Sequence, residues 1–353
     1  MMPTARKSRG WTYARSGVDR TTVQQGLAAL LAGVTYRPPR KSGTVLDVPG
    51  HYAGMVRIGR ETIAITTDTV GTKVLLAEET GRWEGMGEDV VAVNVNDLSA
   101  VGARPCGLVD CISLAEPRAP VLAAIGRGLD RGLRAAGCAL LGGETAVVPD
   151  LVTGTDLGGT AIGFFPRGRR PILGRSIRPG DDILGIPSSG FHANGYTLVR
   201  RLVHERRTKL RLRRSPGRPS LEQELLAPTR IYVRPVEAVA DLPGVHGLAH
   251  ISGGGVRNLV RLNRKVRFVL DAWPEPEGLF AWIRDLGAIS SEEIYQTFNV
   301  GIGFVLVVAP SATPAILTGL RRAGAPDARR VGYIERGTGA DVPGQKLRYV
   351  DYA

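Results

Sequence analysis

Residues 166–182, PRGRRPILGRSIRPGDD, limit the fold of this chain more than any other stretch, because they divide it into two series of alternating strand and helix patterns. Proline and glycine interrupt hydrophobic periodicity here, so the stretch reads as a linker running into a turn. Before it, ETIAITTD (61–68) alternates apolar with polar or small residues, the pattern of a half-buried strand. EDVVAVNVNDLSAVGARP (88–105) puts Val91, Val95, Leu98 and Gly102 on one helical face, and Gly102 with Pro105 supplies a stop, so a helix is expected. CGLVDCISLA (106–115) and LGGTAIGFF (157–165) read as strands, and PVLAAIGRGLDRGLRAAG (120–137) as an amphipathic helix ending on Gly137. Behind the break the pattern restarts: strand DILGIPSSG, helix GYTLVRRLVHE, strand RFVLDAW, helix GLFAWIRDLG, strand GIGFVLVVA. The expectation is an α+β fold of mixed α/β type in two domains, 1–167 and 168–353. The length of 353 residues suits two domains of about 100–200 residues each.

The net charge of +13, mostly from arginine, points to anionic partners such as phosphates and nucleotides. Only 6% of residues are aromatic, and the basic stretch 200–218 has no aromatic interleaving. That stretch is therefore expected to be a solvated helix end and loop, with no nucleic acid as partner. Cys106, Cys111 and Cys138 form no CxxC pair and lie in apolar strand-like runs, as buried, inert thiols of a reducing cytosol do. MMPTARKSRGW at the start is basic without an apolar core, and the longest apolar run, VGIGFVLVVA (300–309), is far shorter than the roughly 20 residues of a membrane helix. A cytoplasmic location with no membrane partner is the expectation.

Three acids stand in comparable places. Glu144 follows Gly142 and Gly143 at the mouth of the apolar run Ala139–Leu141. Asp68 ends the strand before TVGTK, where Gly71, Thr72 and Lys73 follow. This is not a GxxxxGK[ST] loop, yet a turning backbone, a hydroxyl and an ammonium suit phosphate; the alternative is a hairpin-like loop with a surface lysine. Asp97 shares a helical face with Asn94, while Val95 and Leu98 turn to the core. Each acid alone is compatible with a solvated carboxylate. Together they offer oxygen ligands of the kind Mg²⁺ takes alongside polyphosphate, and no His/Cys metal spacing competes. In the second half, PSSGFHANGY (187–196) crowds Ser188, Ser189, His192 and Asn194 before a helix start, a favourable place for an anion. His192 has three readings there: phosphate donor, proton carrier or helix cap. HISGGGVRNL (250–259) places Ser252, Gly253, Gly254 and Gly255 before another apolar helix. Three glycines are costly in backbone entropy and imply a close approach, to a ligand or within a tight turn.

Taken in order, YARSGVD, TTDTVGTK, VNDLSAVGARP, LLGGETAVVPD, PSSGFHANGYTLVR, LLAPTRIYV, HISGGG and YQTFNVGIGF resemble the phosphoribosylformylglycinamidine cyclo-ligase family over nearly the whole chain. The acidic and GGET motifs are shared with a wider superfamily of ATP-using synthetases. LLAPTRIYV (225–233) and TFNVGIG (297–303) are much more specific to the cyclo-ligases. Thr69, Phe191 and Ala193 stand where that family usually has Gly, Pro and Ser. The resemblance implies ATP-dependent closure of formylglycinamidine ribonucleotide to aminoimidazole ribonucleotide. ATP phosphorylates the formyl amide oxygen, a nitrogen of the same substrate attacks the formyl carbon, and ADP and phosphate leave. It implies Mg²⁺ on Asp68, Asp97 and Glu144, and ATP at Asp68, Gly71, Thr72, Lys73, Asn94, Gly142, Gly143 and Glu144. Catalytic roles fall to Lys73, Asp97 and His192, and the ribonucleotide to Ser188, Ser189, His192, Asn194 and Ser252 to Gly255. It also implies a homodimer whose N-terminal domains pair their sheets. Among rivals, a selenophosphate synthetase commonly has a reactive cysteine near its start, whereas none precedes Cys106 here. A thiamine-monophosphate kinase lacks LAPTRIYV, and a non-catalytic nucleotide-binding relative has no need to keep Asp68, Lys73, Glu144 and His192 together.

Overall fold

The computed structural model describes residues 10–36, 43–48 and 50–352; the basic residues 1–9 read above lie outside these. The first half contains helix α1 (Arg20–Gly33), strands β1 (Thr44–Leu46), β2 (Gly54–Ile58) and β3 (Glu61–Thr69), helices α2 (Lys73–Thr80) and α3 (Glu84–Ser99), strand β4 (Arg104–Leu114), helix α4 (Ala119–Ala136), and strands β5 (Ala139–Val147) and β6 (Thr155–Phe164). The strands form one sheet in the order β1-β2-β3-β6-β4-β5. All its pairings are antiparallel except β4 with β5.

The second half runs β7 (Asp182–Pro187), α5 (Tyr196–Glu205), α6 (Leu221–Leu225), α7 (Val233–Glu237), β8 (Val245–His250), β9 (Val266–Val269), α8 (Gly278–Gly287), α9 (Ser291–Thr297), β10 (Ile302–Val308), α10 (Thr313–Arg322), β11 (Arg329–Arg336), β12 (Gly339–Val342) and β13 (Leu347–Tyr349). Its seven strands form a second sheet in the order β13-β12-β9-β11-β7-β10-β8. β10 is buried along its whole length, as its uninterrupted apolar run requires.

Alternation along β3 and β4 decides which face of the first sheet is covered. Ala64, Thr66, Leu108, Ile112 and Leu114 turn inward, and α3 packs on both strands. Ile65, Val109 and Cys111 turn to the opposite face, which no element of the described chain covers. The expectation of buried cysteines is corrected by this. Cys111 lies on the open face and Cys106 at a bulge near the start of β4, both exposed. Cys138 is half-buried, and burial pushes its thiol up to about 11.

Helices α3 and α4 lie in backbone contact. A methyl group on Gly128 would strike the Glu84 carbonyl, and one on Gly87 the Ile125 carbonyl, so these glycines set the interhelical distance. The basic stretch is a helix end running into a largely exposed loop, as expected, with one addition. The loop is closed by a bridge between Arg213 and Ser220, and Arg214 forks onto both carboxylate oxygens of Glu224 at 2.6 Å. Fork geometry of this kind fixes a guanidinium that would otherwise be solvated.

Candidate active site

Helix α3 is the element on which both halves meet. It is buried on nearly every side, and its polar residues reach across the seam into residues 227–232. Asp89 Oδ1 accepts from the Thr229 backbone N–H (2.8 Å) and hydroxyl (2.5 Å). Asn96 donates to the Arg230 carbonyl and accepts from the Tyr232 N–H, each at 2.9 Å. The LAPTRIY motif is thus held as an irregular segment clamped against α3. Asn94, one turn before Asp97, donates to the Asp68 carbonyl at 3.4 Å and ties the end of β3 to the same helix.

Asp97 projects from α3 toward the end of β8, where His250 donates from Nδ1 to its Oδ1 at 2.8 Å. In the neutral tautomer that donates from Nδ1, the Nε2 of His250 is an acceptor. That atom is buried and has no partner among the described residues. The His192 ring lies 6.2 Å from that of His250. Its Nε2 is 3.4 Å from the Tyr232 hydroxyl, and its Nδ1 is buried and unpartnered among the described residues. Burial, and then the neighbouring His250, Lys73 and Arg230, hold His192 well below the usual imidazole range, so it is neutral at physiological pH. His192 takes a left-handed backbone with φ 62°, an uncommon conformation for a residue with a Cβ. Room for its ring depends on Gly303 of β10, where a Cβ would collide with both His192 and the Tyr232 hydroxyl.

Asp68 completes the group from the end of β3. Its residue keeps an open side, yet burial of the carboxyl and the nearby charge of Asp97 push it up to about 6. Two carboxylates so placed are a fit for a divalent cation, which would relieve their mutual repulsion. A cavity of about 340 Å³ lies at the start of α2, lined by Gly71, Thr72, Leu75 and Val152.

Three of the sequence expectations change. Lys73 does not face this cavity: it is fully buried, paired with Asp89 at 2.6 Å and donating to the Ala227 carbonyl at 2.8 Å. It begins α2 with its side chain in the seam, so its charge is already compensated and an ATP phosphate has no access to it here. Glu144 does not join Asp68 and Asp97. It pairs in register with Cys111 and so points from the open face, while Asp68 lies in register with Gly159 and Asp110 on the helix-covered face. No group of three metal-ligating side chains converges among the described residues. The cap reading of His192 also fails, because the N-cap of α5 is Gly195, with no side-chain cap bond.

Other members fall into place as structural parts. Ser188 donates to Asn299 Oδ1 at 2.9 Å, and Ser189 to the Pro228 carbonyl at 2.6 Å. The three glycines after Ser252 answer to close neighbours. A Cβ at Gly253 would lie 3.2 Å from Asn194, one at Gly254 would press on the Tyr352 ring, and Gly255 (φ 53°) lies under the Tyr295 carbonyl. Gly142 takes φ 153°, and Gly143 leaves space that Asp110 occupies. Sequence reading missed His250 and Tyr232. Their signal was present: His250 ends a strand immediately before a glycine loop, as His192 follows one, and Tyr232 closes the LAPTRIY motif.

Two family models match: AIR synthase related protein, N-terminal domain, over residues 50–165, and its C-terminal domain over residues 178–343. The chain is 46% identical over 300 residues to the phosphoribosylformylglycinamidine cyclo-ligase of Thermococcus kodakarensis, covering 84% of this chain and 88% of that one. It is 39% identical over 317 residues to that of Methanosarcina barkeri, covering 87% and 92%. Among solved structures it resembles the thiamine-monophosphate kinase of Stenotrophomonas maltophilia (TM-score 0.61, 22% identity, 94% of this chain and 98% of that one). It also resembles E. coli HypE, a hydrogenase maturation protein (TM-score 0.61, 18% identity, 82% and 86%). These two likenesses concern the fold.

Proposed function

From the premise that this chain belongs to the AIR synthase related family and, within it, to the phosphoribosylformylglycinamidine cyclo-ligases, ATP-dependent C–N ligases of purine biosynthesis, we propose how its residues divide the ring closure. The observation that carries the proposal is the Asp97–His250 pair, with its unpartnered Nε2 opposite neutral His192 at the seam of the two halves.

An amide oxygen is a poor leaving group, and phosphoryl transfer from ATP to the formyl oxygen makes it a good one. Asp68 and Asp97 would hold Mg²⁺, which when bound offsets charge on the ATP phosphates. Gly71 and Thr72 shape the nucleotide cavity, and Asn94 fixes the end of β3 behind it. Holding both ends of one substrate makes the nitrogen attack on the formyl carbon intramolecular. His250, oriented by Asp97, takes the proton lost by the attacking nitrogen at Nε2. His192, neutral and backed by Tyr232, contacts the reacting amide from the other side. Asn194 and Ser252, both half-buried, receive the ribonucleotide. Ser188 and Ser189 act one step behind them, by holding Asn299 and the Pro228 turn.

The domain division at about residue 167, the N-terminal half carrying ATP and the C-terminal half the ribonucleotide, is part of the same proposal. So is a homodimer formed through the open sheet face, supported by the exposed Ile65, Val109 and Leu141. Glu144 points from that face, so any part it takes with ATP runs through the second copy.

The test is His250→Asn. Asn keeps a hydrogen bond to Asp97 and loses the base, so Tm should hold while kcat falls by roughly 10²–10⁴-fold. Mass spectrometry should identify aminoimidazole ribonucleotide as the wild-type product from formylglycinamidine ribonucleotide and Mg-ATP. A variant with wild-type kcat would remove His250 from the mechanism.

A further inference from the structure

A second cavity, of about 510 Å³, lies at the opposite end of β8 from His250. It is lined from three directions: by β1 and β2 of the first sheet, by the linker 170–176, and by the start of β8. Arg57, Arg170 and Arg175 all line it, and none of them has an ion pair or a side-chain hydrogen bond among the described residues. The residues outside the description, 1–9, 37–42, 49 and 353, contain no Asp or Glu side chain to supply one. Elsewhere the chain pairs its arginines freely, as with Arg169 on Glu237 and Asp241, or Arg230 on Asp327. One acid, Asp47, stands among the lining residues, and His246 there is already bound to Asp181 at 2.7 Å. The cavity therefore carries net positive charge, over a floor made apolar by Leu46, Ile172 and Val245.

We propose that this cavity is a binding site for a small phosphate-bearing molecule with a flat apolar body, of the nucleoside phosphate class. Three guanidiniums match phosphate oxygens by fork-like hydrogen bonds. The apolar floor gives a base its contact surface, and the volume suits one ligand of that size. The site is separate from the catalytic cleft, but β8 links the two. Val245 and His246 begin that strand in the cavity, and His250 ends it on Asp97. A ligand bridging the linker and β1 to β8 would brace the strand that presents the base.

The experiment is titration calorimetry of adenosine 5′-monophosphate and of inorganic pyrophosphate into the full-length wild type and into R57Q/R170Q/R175Q, at low and at moderate salt. Binding in the catalytic cleft is common to both proteins, so the difference between them isolates the seam. The expected result is a binding phase in the wild type that weakens with salt and is lost, by about a hundredfold or more, in the triple variant. The variant should keep its basal ring-closure kcat and Tm. Equal loss for both probes would assign the site to phosphate groups alone, and a greater loss for the monophosphate would assign it to the nucleotide. Superimposable isotherms for wild type and variant overturn the proposal. Should the triple variant unfold, R170Q alone is measured, with about a tenfold weakening expected and an unchanged isotherm counting against the site.

Discussion

At the residue scale, Asp68 carries the clearest tension. Its carboxyl titrates near 6 because burial and the neighbouring Asp97 both oppose its charge. The folded value lies above the unfolded one, so the associated stability is full below about pH 4 and is lost as pH rises through about 6. Asp68→Asn removes the charge and with it that loss. In metal-free protein the variant should match the wild type at pH 4 and exceed it at pH 8, by on the order of 1 kcal/mol once screening at the open side is allowed for. Thermal melts across pH 4–8 check this, and a gap independent of pH would show that the carboxyl is not under strain. The same variant should lose most ATP-dependent turnover. His192 shows the limit of sequence at this scale. Its loop stands out in sequence as a candidate site, but nothing in PSSGFHANGY reveals a left-handed φ of 62° or the collision that reserves position 303 for glycine. The acids misled in the opposite way. Glu144 and Asp68 look alike in sequence, and only the register across β6 and β4 shows them on opposite faces.

At the element scale, hydrophobic periodicity read α3, α4, β4, β6, β7 and β10 correctly, because each has one dominant partner face or none exposed. Alternation could not show that one face of the first sheet lacks a cover among the described residues, so the cysteines of β4 read as buried. The α3–α4 contact depends on glycines that periodicity does not register. Gly128→Ala should raise intrinsic helix propensity, yet destabilise the protein by about 1–3 kcal/mol, because the new methyl has only the Glu84 carbonyl to meet. Chemical denaturation measures the sign. Net stabilisation would mean that the two helices can separate at no cost. The basic stretch 200–218 illustrates a different limit: its charge is plain in sequence, but the Glu224 fork that fixes Arg214 depends on a turn formed after Arg206.

At the scale of the whole molecule, the open sheet face and the isolation of Glu144 belong together. If Glu144 serves the ATP site of a second copy, two inactive variants should rescue one another. Co-expressed Glu144→Gln and Asp68→Asn chains would form mixed dimers in which one of two sites is intact. With random assembly, roughly a quarter of wild-type kcat returns. Activity that stays at the level of the separate variants, despite mixed dimers on native mass spectrometry, would place Glu144 outside the mechanism.

The polar clamp between α3 and residues 227–232 has a consequence for how the gene can be cut. Asp89 Oδ1 and the Asn96 amide find their hydrogen-bond partners in the C-terminal half, and the Lys73 ammonium, paired with Asp89 Oδ2, rests partly on the Ala227 carbonyl. A fragment ending before the linker would hold these groups unpartnered, each at about 1–3 kcal/mol, and would uncover the apolar side of α3 with them. Neither half should accumulate as soluble protein alone. The peptide bond between them, by contrast, runs through an exposed proline- and glycine-rich segment that contributes little to the clamp. Two open reading frames split near Gly168 and translated together should therefore yield one working enzyme, with the cut tolerated because the halves recognise each other through α3.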